Sequence, residues 1–173
     1  MPIEPGSYRF GPDNGRLTVR TGRTGAVAKA GHDLLLEVTA WNATLTVGDE
    51  TTVALDADTS SFKVREGTGG MQALDDGDRA NIEQTIDDEV LQREPITFRS
   101  TRVTELADGL SVEGQLTIRG RTGSVAFDVT VAAGRLTATA PVRHSDFAMK
   151  PYSALFGALK VADEVQVAID AQL

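Results

Sequence analysis

VEGQLTIRGRTGSVAFDVTV, residues 112–131, decides the fold class. With its upstream neighbour, the apolar set is Leu110, Val112, Leu116 and Ile118, and after Gly120-Arg121-Thr122-Gly123 it is Val125, Phe127, Val129 and Val131. Successive side chains of a strand point to opposite faces, so this period of two sets one face on a core and the other in water. Two such runs joined by a short glycine-containing segment predict an antiparallel hairpin. The alternation continues through Leu136, Ala138, Ala140 and Val142 and returns in Val165, Val167, Ile169 and Ala171. Leu17 with Val19, and Val53 with Leu55 and Ala57, are shorter matches.

Upstream, GHDLLLEVTAWNATLTV at 31–47 breaks its own rhythm. The apolar positions are Leu34, Leu36, Val38 and Ala40, then Trp41, Ala43, Leu45 and Val47. A phase change inside one strand predicts a bulge or bend, the local kink that lets a sheet curl into a barrel. PITFRSTRV loses phase in the same way between Phe98 and Val103. One segment reads as helix: DRANIEQTIDDEVLQ starts at a capping candidate, Asp78, and spaces Ile82, Ile86 and Val90 on one face. The helix is expected to pack over a barrel end or side, behind a glycine-rich loop at 66–70. The chain is therefore expected to be a single all-β domain over residues 1–173, a barrel or sandwich of about eight strands with one short helix.

Composition narrows the function. No cysteine is present, which excludes thiolate catalysis, zinc–cysteine sites and disulfides. The formal net charge of −8 opposes a phosphate backbone, so nucleic acid is not an expected partner. The start, MPIEPGSYRF, has neither a basic segment nor an apolar one, and no apolar run approaches the roughly 20 residues of a spanning helix. A cytoplasmic protein without a transmembrane segment is expected.

Catalytic chemistry has little support. His32-Asp33 and His144-Ser145-Asp146 bring a base, a carboxylate and a hydroxyl together in sequence, but neighbours on a strand face opposite ways and a triad needs geometry. Each histidine is read as a polar residue at a strand end or barrel mouth. No histidine–carboxylate spacing is diagnostic of a metal, so no catalytic residue, metal or cofactor is assigned. Gly-Arg-Thr-Gly at 22–25 and again at 120–123 reads as a turn rather than a phosphate loop, and Asp87-Asp88-Glu89 as a solvated helix face. The inward residues, mostly Val, Leu, Ile and Ala with few aromatics, suit either a hollow barrel or a filled one.

The ordered combination of Pro95, Phe98 and Ser100-Thr101, then Gly114-x-Leu116-Thr117-Ile118-x-Gly120-x-Thr122, then Ser145-Asp146-Phe147, and finally Val161, Asp163 and Val165 resembles the YceI-like family of lipocalin-like, polyisoprenoid-binding proteins. Tyr8 and His32 look like the family's N-terminal aromatic and its histidine. The chain departs from that pattern at His144, where the family usually has arginine, and at Ala148, where glycine is common. The resemblance implies an extended antiparallel lipocalin-like barrel that encloses the tail of a quinone, polyprenol or polyprenyl phosphate without enzymatic activity, commonly as a homodimer. The expected tail contacts are Leu34, Leu36, Val38, Trp41, Phe98, Leu116, Ile118, Phe127, Val129 and Phe147. The expected head-group contacts are His32, Arg99, Arg143 and His144. The alternative is a filled, stress-associated barrel that acts through its surface or a dimer interface.

Overall fold

The computed structural model describes residues 3–24, 33–68, 74–149, 153–154 and 159–173. Chain order gives β1 (Gly6–Phe10), β2 (Gly15–Arg20), β3 (Arg23–Thr24), β4 (Asp33–Val38), β5 (Trp41–Val47), β6 (Thr52–Ala57) and β7 (Phe62–Thr68). The helix α1 (Asp76–Thr85) follows, and then β8 (Ile96–Leu106), β9 (Gly109–Ile118), β10 (Arg121–Ala132) and β11 (Arg135–Arg143). The last strands are β12 (Ser153–Ala154), β13 (Leu159–Val161) and β14 (Glu164–Gln172). Eleven of them form one antiparallel sheet in the order β1-β5-β6-β8-β9-β10-β11-β14-β2-β4-β7, while β12, β13 and β3 make a small second sheet.

Chain continuity makes this sheet curl back on itself. The phase change at 39–40 is the bend between β4 and β5, and a 3-10 turn at Thr59–Ser61 makes the matching bend between β6 and β7. The two bends are hydrogen-bonded: Thr39 N–H donates to Ser61 O at 2.9 Å and Asp58 N–H to Ala40 O at 3.0 Å. β1 and β2 likewise run as one interrupted strand along β5 and β4. Counted as long strands, β1/β2, β4/β5, β6/β7, β8, β9, β10, β11 and β14 form a ring of eight, because β14 pairs with β2. The lost phase in β8 is a bulge at Thr101, where the register with β9 shifts between Ser100 and Arg102.

β7 continues beyond the start of β8, since Ile96 pairs with Ala57. The helix takes the place of the missing strand: Glu83 Oε2 accepts from Val64 N–H at 2.9 Å, satisfying a donor that a neighbouring strand would otherwise take. α1 begins three residues earlier than its sequence suggested. Asp75 is the N-cap and Asp78 the third helical residue, each side chain accepting from the other's backbone N–H as a capping box. After Thr85 the chain continues as one π turn, Ile86–Val90.

Three further expectations are corrected. The β9–β10 turn is Arg119-Gly120, both at positive φ (53° and 71°), so Arg121-Thr122-Gly123 already belongs to β10. A two-residue turn of this hand matches the twist of its strands. The earlier Gly-Arg-Thr-Gly is also partly strand, with Arg23–Thr24 pairing to β13. Asp87 is not simply solvated: its carboxylate accepts from the Thr59 hydroxyl at 2.7 Å and ties the π turn to the β6–β7 bend, while Asp88 pairs with Arg93. No helix among the described residues is long and apolar enough to cross a membrane.

Candidate functional site: an apolar cavity with a polar mouth

The inward faces of the ring enclose a cavity of about 590 Å³. The interior is thus hollow, within the roughly 300–1,000 Å³ range of small-molecule sites. One end is wholly apolar in side-chain character, with Phe10, Leu17, Val38, Leu45, Leu110 and Leu136 around it. Its middle is ringed by Leu36, Leu55, Phe98, Leu116, Phe127 and Val167. The Phe98 and Phe127 rings meet at 5.6 Å between centroids, tilted by 52°, a favourable aromatic geometry.

Two glycines make room for aromatic residues. A Cβ on Gly114 would run into the Phe98 ring and lie 2.6 Å from Arg99 O, so the ring lies directly on the β9 backbone. A Cβ on Gly123 would meet the Phe147 ring at 3.0 Å. Phe147, 2% exposed, is carried on a 3-10 turn, His144–Phe147, at the end of β11 and borders the cavity there.

The polar end is built from three places. Thr21 joins β2 to β4, its N–H donating to Leu34 O at 2.9 Å and its hydroxyl accepting from Leu34 N–H at 3.1 Å. Asn81 and Thr85 come from α1, whose apolar residues Ile82 and Ile86 border the cavity beside them. Arg143 and His144 complete the rim. The His144 Nδ1 lies 2.7 Å from Asp163 O, and Arg143 Nε donates to Glu164 at 3.3 Å. Asp163 also accepts from the Ser145 N–H, at 2.9 Å, and from its hydroxyl. The hydroxyl bond is the main reason that the Asp163 carboxyl is held below its usual pKa; the Ser145 N–H and the nearby His144 and Arg143 charges add to it, against partial desolvation. Ser145 is therefore turned toward Asp163 and not toward the imidazole, so 144–146 is a structural clamp in form.

The structure brings most of the sequence-predicted residues together. Leu34, Leu36, Val38, Phe98, Leu116 and Ile118 all border the cavity, as do Phe127, Val129, Phe147, Arg143 and His144. Arg99 does not lie there. Because Phe98 points inward, Arg99 points out, where its guanidinium donates to Asp56 at 2.9 Å and to Leu55 O at 3.1 Å. Trp41 faces the core and is 6% exposed, but it sits at the β4–β5 bend, opposite Ala57, and does not border the cavity; its indole N–H is buried without a hydrogen-bond partner. His32 lies outside the described residues. The sequence reading left out the helix contribution, Ile82, Ile86, Val90 and Leu91, and the β14 wall, Val165, Val167 and Ile169. Both carried visible apolar periodicity.

A curled antiparallel barrel with an apolar interior and a polar mouth is a lipocalin-like container. The chain belongs to the family described as YceI-like domain, whose model matches residues 18–173. The fold is shared with Burkholderia cenocepacia BcnA at 17% identity and a TM-score of 0.64, over 90% of this chain and 94% of that one. It is shared also with the Campylobacter jejuni YceI protein at 12% identity and a TM-score of 0.57, over 80% and 82% of the two chains. No curated protein matches the chain significantly.

Proposed function

We propose that this protein binds a polyisoprenoid or closely similar amphiphile, holding the tail inside the barrel and the head group at the Arg143–His144 end, and does so without catalysing a reaction. The observation that carries the reading is the 590 Å³ apolar cavity with polar residues gathered at one end. Each isoprene unit buries five carbons, a gross gain of about 4 kcal/mol at ~0.8 kcal/mol per CH₂. Several units are needed to exceed the roughly 4–15 kcal/mol that association costs. Thr21, Asn81, Thr85, Arg143 and His144 then select the head group by hydrogen bonding. Family membership supports the same ligand class, and a homodimer and a cytoplasmic setting belong to the same reading.

Native mass spectrometry of the protein purified from its own host, with organic extraction of what co-purifies, tests this. A stoichiometric isoprenoid is the expected result. A bare mass that persists after incubation with quinones and polyprenols would overturn the proposal. Light scattering and cell fractionation check the assembly and the compartment.

A further inference from the structure

We infer that His144 presents an unprotonated ring nitrogen, Nε2, to the mouth of the cavity and thereby selects a ligand whose head group is a hydroxyl. This inference rests on the lipid-binding reading above and adds the chemistry of the head group to it. The His144 Nδ1 lies 2.7 Å from the backbone carbonyl oxygen of Asp163. A carbonyl oxygen offers only lone pairs, so the hydrogen of that bond sits on Nδ1, and this partner assigns the tautomer. In the neutral ring a proton on Nδ1 leaves Nε2 with a lone pair and no hydrogen. Nε2 is therefore an acceptor.

The residue is held in place from several sides. The His144 N–H donates to the same Asp163 O at 2.9 Å, and the His144 carbonyl accepts from Met149 N–H at 3.0 Å. Phe147, on the same 3-10 turn, is buried in the wall against Gly123. The two ring nitrogens point away from each other, so tying Nδ1 to Asp163 turns Nε2 away from that residue, and the side chain borders the cavity. No described residue makes a hydrogen bond to Nε2. The charges beside it disfavour an anion. Arg143 already has a carboxylate as partner, Glu164, with which it pairs in register and to which its Nε donates at 3.3 Å. The Asp163 carboxylate, occupied by Ser145, adds a second negative charge to the same corner. A phosphate head would meet two carboxylates and a ring lone pair there, a juxtaposition of like charge that selects against it. A hydroxyl instead gives its hydrogen to Nε2 and keeps its lone pairs for the donors Asn81, Thr85 and Arg143 around the rim.

The test compares ligands that share one prenyl tail and differ only in the head: the alcohol, a phenol, the methyl ether of the alcohol and the monophosphate. They are competed pairwise for the full-length protein at about pH 8, above the ordinary histidine range, and read by native mass spectrometry. Both hydroxyl ligands are expected to bind about tenfold tighter than the ether, the value of one hydrogen bond to an acceptor otherwise left unsatisfied, and tighter than the monophosphate. The better of the two identifies the head as an alcohol or a phenol. An ether or a monophosphate that matches the alcohol overturns the head-group rule while leaving lipid binding intact. No binding by any of them overturns the lipid reading and this inference with it. His144→Phe keeps a ring and removes Nε2, so the alcohol is expected to fall to within about twofold of the ether, one hydrogen bond having been lost; an unchanged preference overturns the assignment to His144. Long-range proton–nitrogen NMR of the assigned His144 ring in the parent protein reads the tautomer without any variant. A proton on Nδ1 is expected in the neutral ring, and a proton on Nε2 overturns the inference whatever the lipids do.

Discussion

Leu116→Trp separates a hollow barrel from a filled one. Leu116 is half-buried on β9, paired with Phe98 on one side and Gly123 on the other, and its side chain borders the cavity. Tryptophan adds six heavy atoms to the side chain, facing a cavity of about 590 Å³. In a filled core such an insertion costs about 1–3 kcal/mol, which lowers Tm by roughly 2–12 °C in a chain of this size. Here the indole enters empty space, and the expected Tm lies within about 2 °C of the parent by circular dichroism or scanning fluorimetry. The ligand bears the cost. The ring takes space that the tail would fill, and each isoprene unit displaced is a gross loss of about 4 kcal/mol, or up to ~10³ in Kd. A Tm fall near 10 °C, with unchanged affinity in the folded fraction, would refute the reasoning.

Gly114→Ala should lower stability by about 2–3 kcal/mol, because the methyl meets the Phe98 ring and the Arg99 carbonyl; a chemical denaturation midpoint equal to the parent's would show that the strand yields. Ala148 has φ 54°, in the left-handed region. Ala148→Gly relieves about 1–2 kcal/mol of left-handed strain and gives back about half in unfolded-chain entropy; a Tm rise of about 1–3 °C is expected by calorimetry. The depressed Asp163 pKa means that its contribution is present above the ordinary carboxylate range and is lost as pH falls through the folded value. Ser145→Ala removes the main cause, so the Asp163 pKa should move up in an NMR titration and the acid-side loss of stability should become shallower. An unmoved pKa would show that the Ser145 bond does not set it.

The ring was legible because its faces alternate. Leu110 to Val131 and Val165 to Ala171 are strands in the sequence and in space, and the phase slips at 39–40 and at Thr101 mark real departures from regular pairing. What escaped was decided by distant partners or by one-residue choices. Period two cannot choose among the glycines of 120–123, and the turn falls one residue earlier, at Arg119-Gly120. Three aspartates stand at 75, 76 and 78, and only the reciprocal hydrogen bonds single out Asp75 as the cap. Asp87 is an anchor because Thr59, 28 residues away, comes to meet it. Arg99 follows the same alternation: with Phe98 inward, its neighbour on the strand points out, to Asp56. The apolar stripe of the helix was plain, but that it substitutes for a strand alongside β7 depends on where β8 begins.

The ring closes by pairing β2 with β14, so Leu17 meets Ile169 across about 150 residues of intervening chain. Contacts of such separation make folding slow, and every earlier strand must wait for this one before the container has a complete wall. A nascent chain lacking its last strand exposes the apolar inner face together with unpaired edges on β2 and β11, the combination that recruits other chains. For this molecule, folding to completion and closing the cavity wall are one event, set by the pairing of β14 with β2.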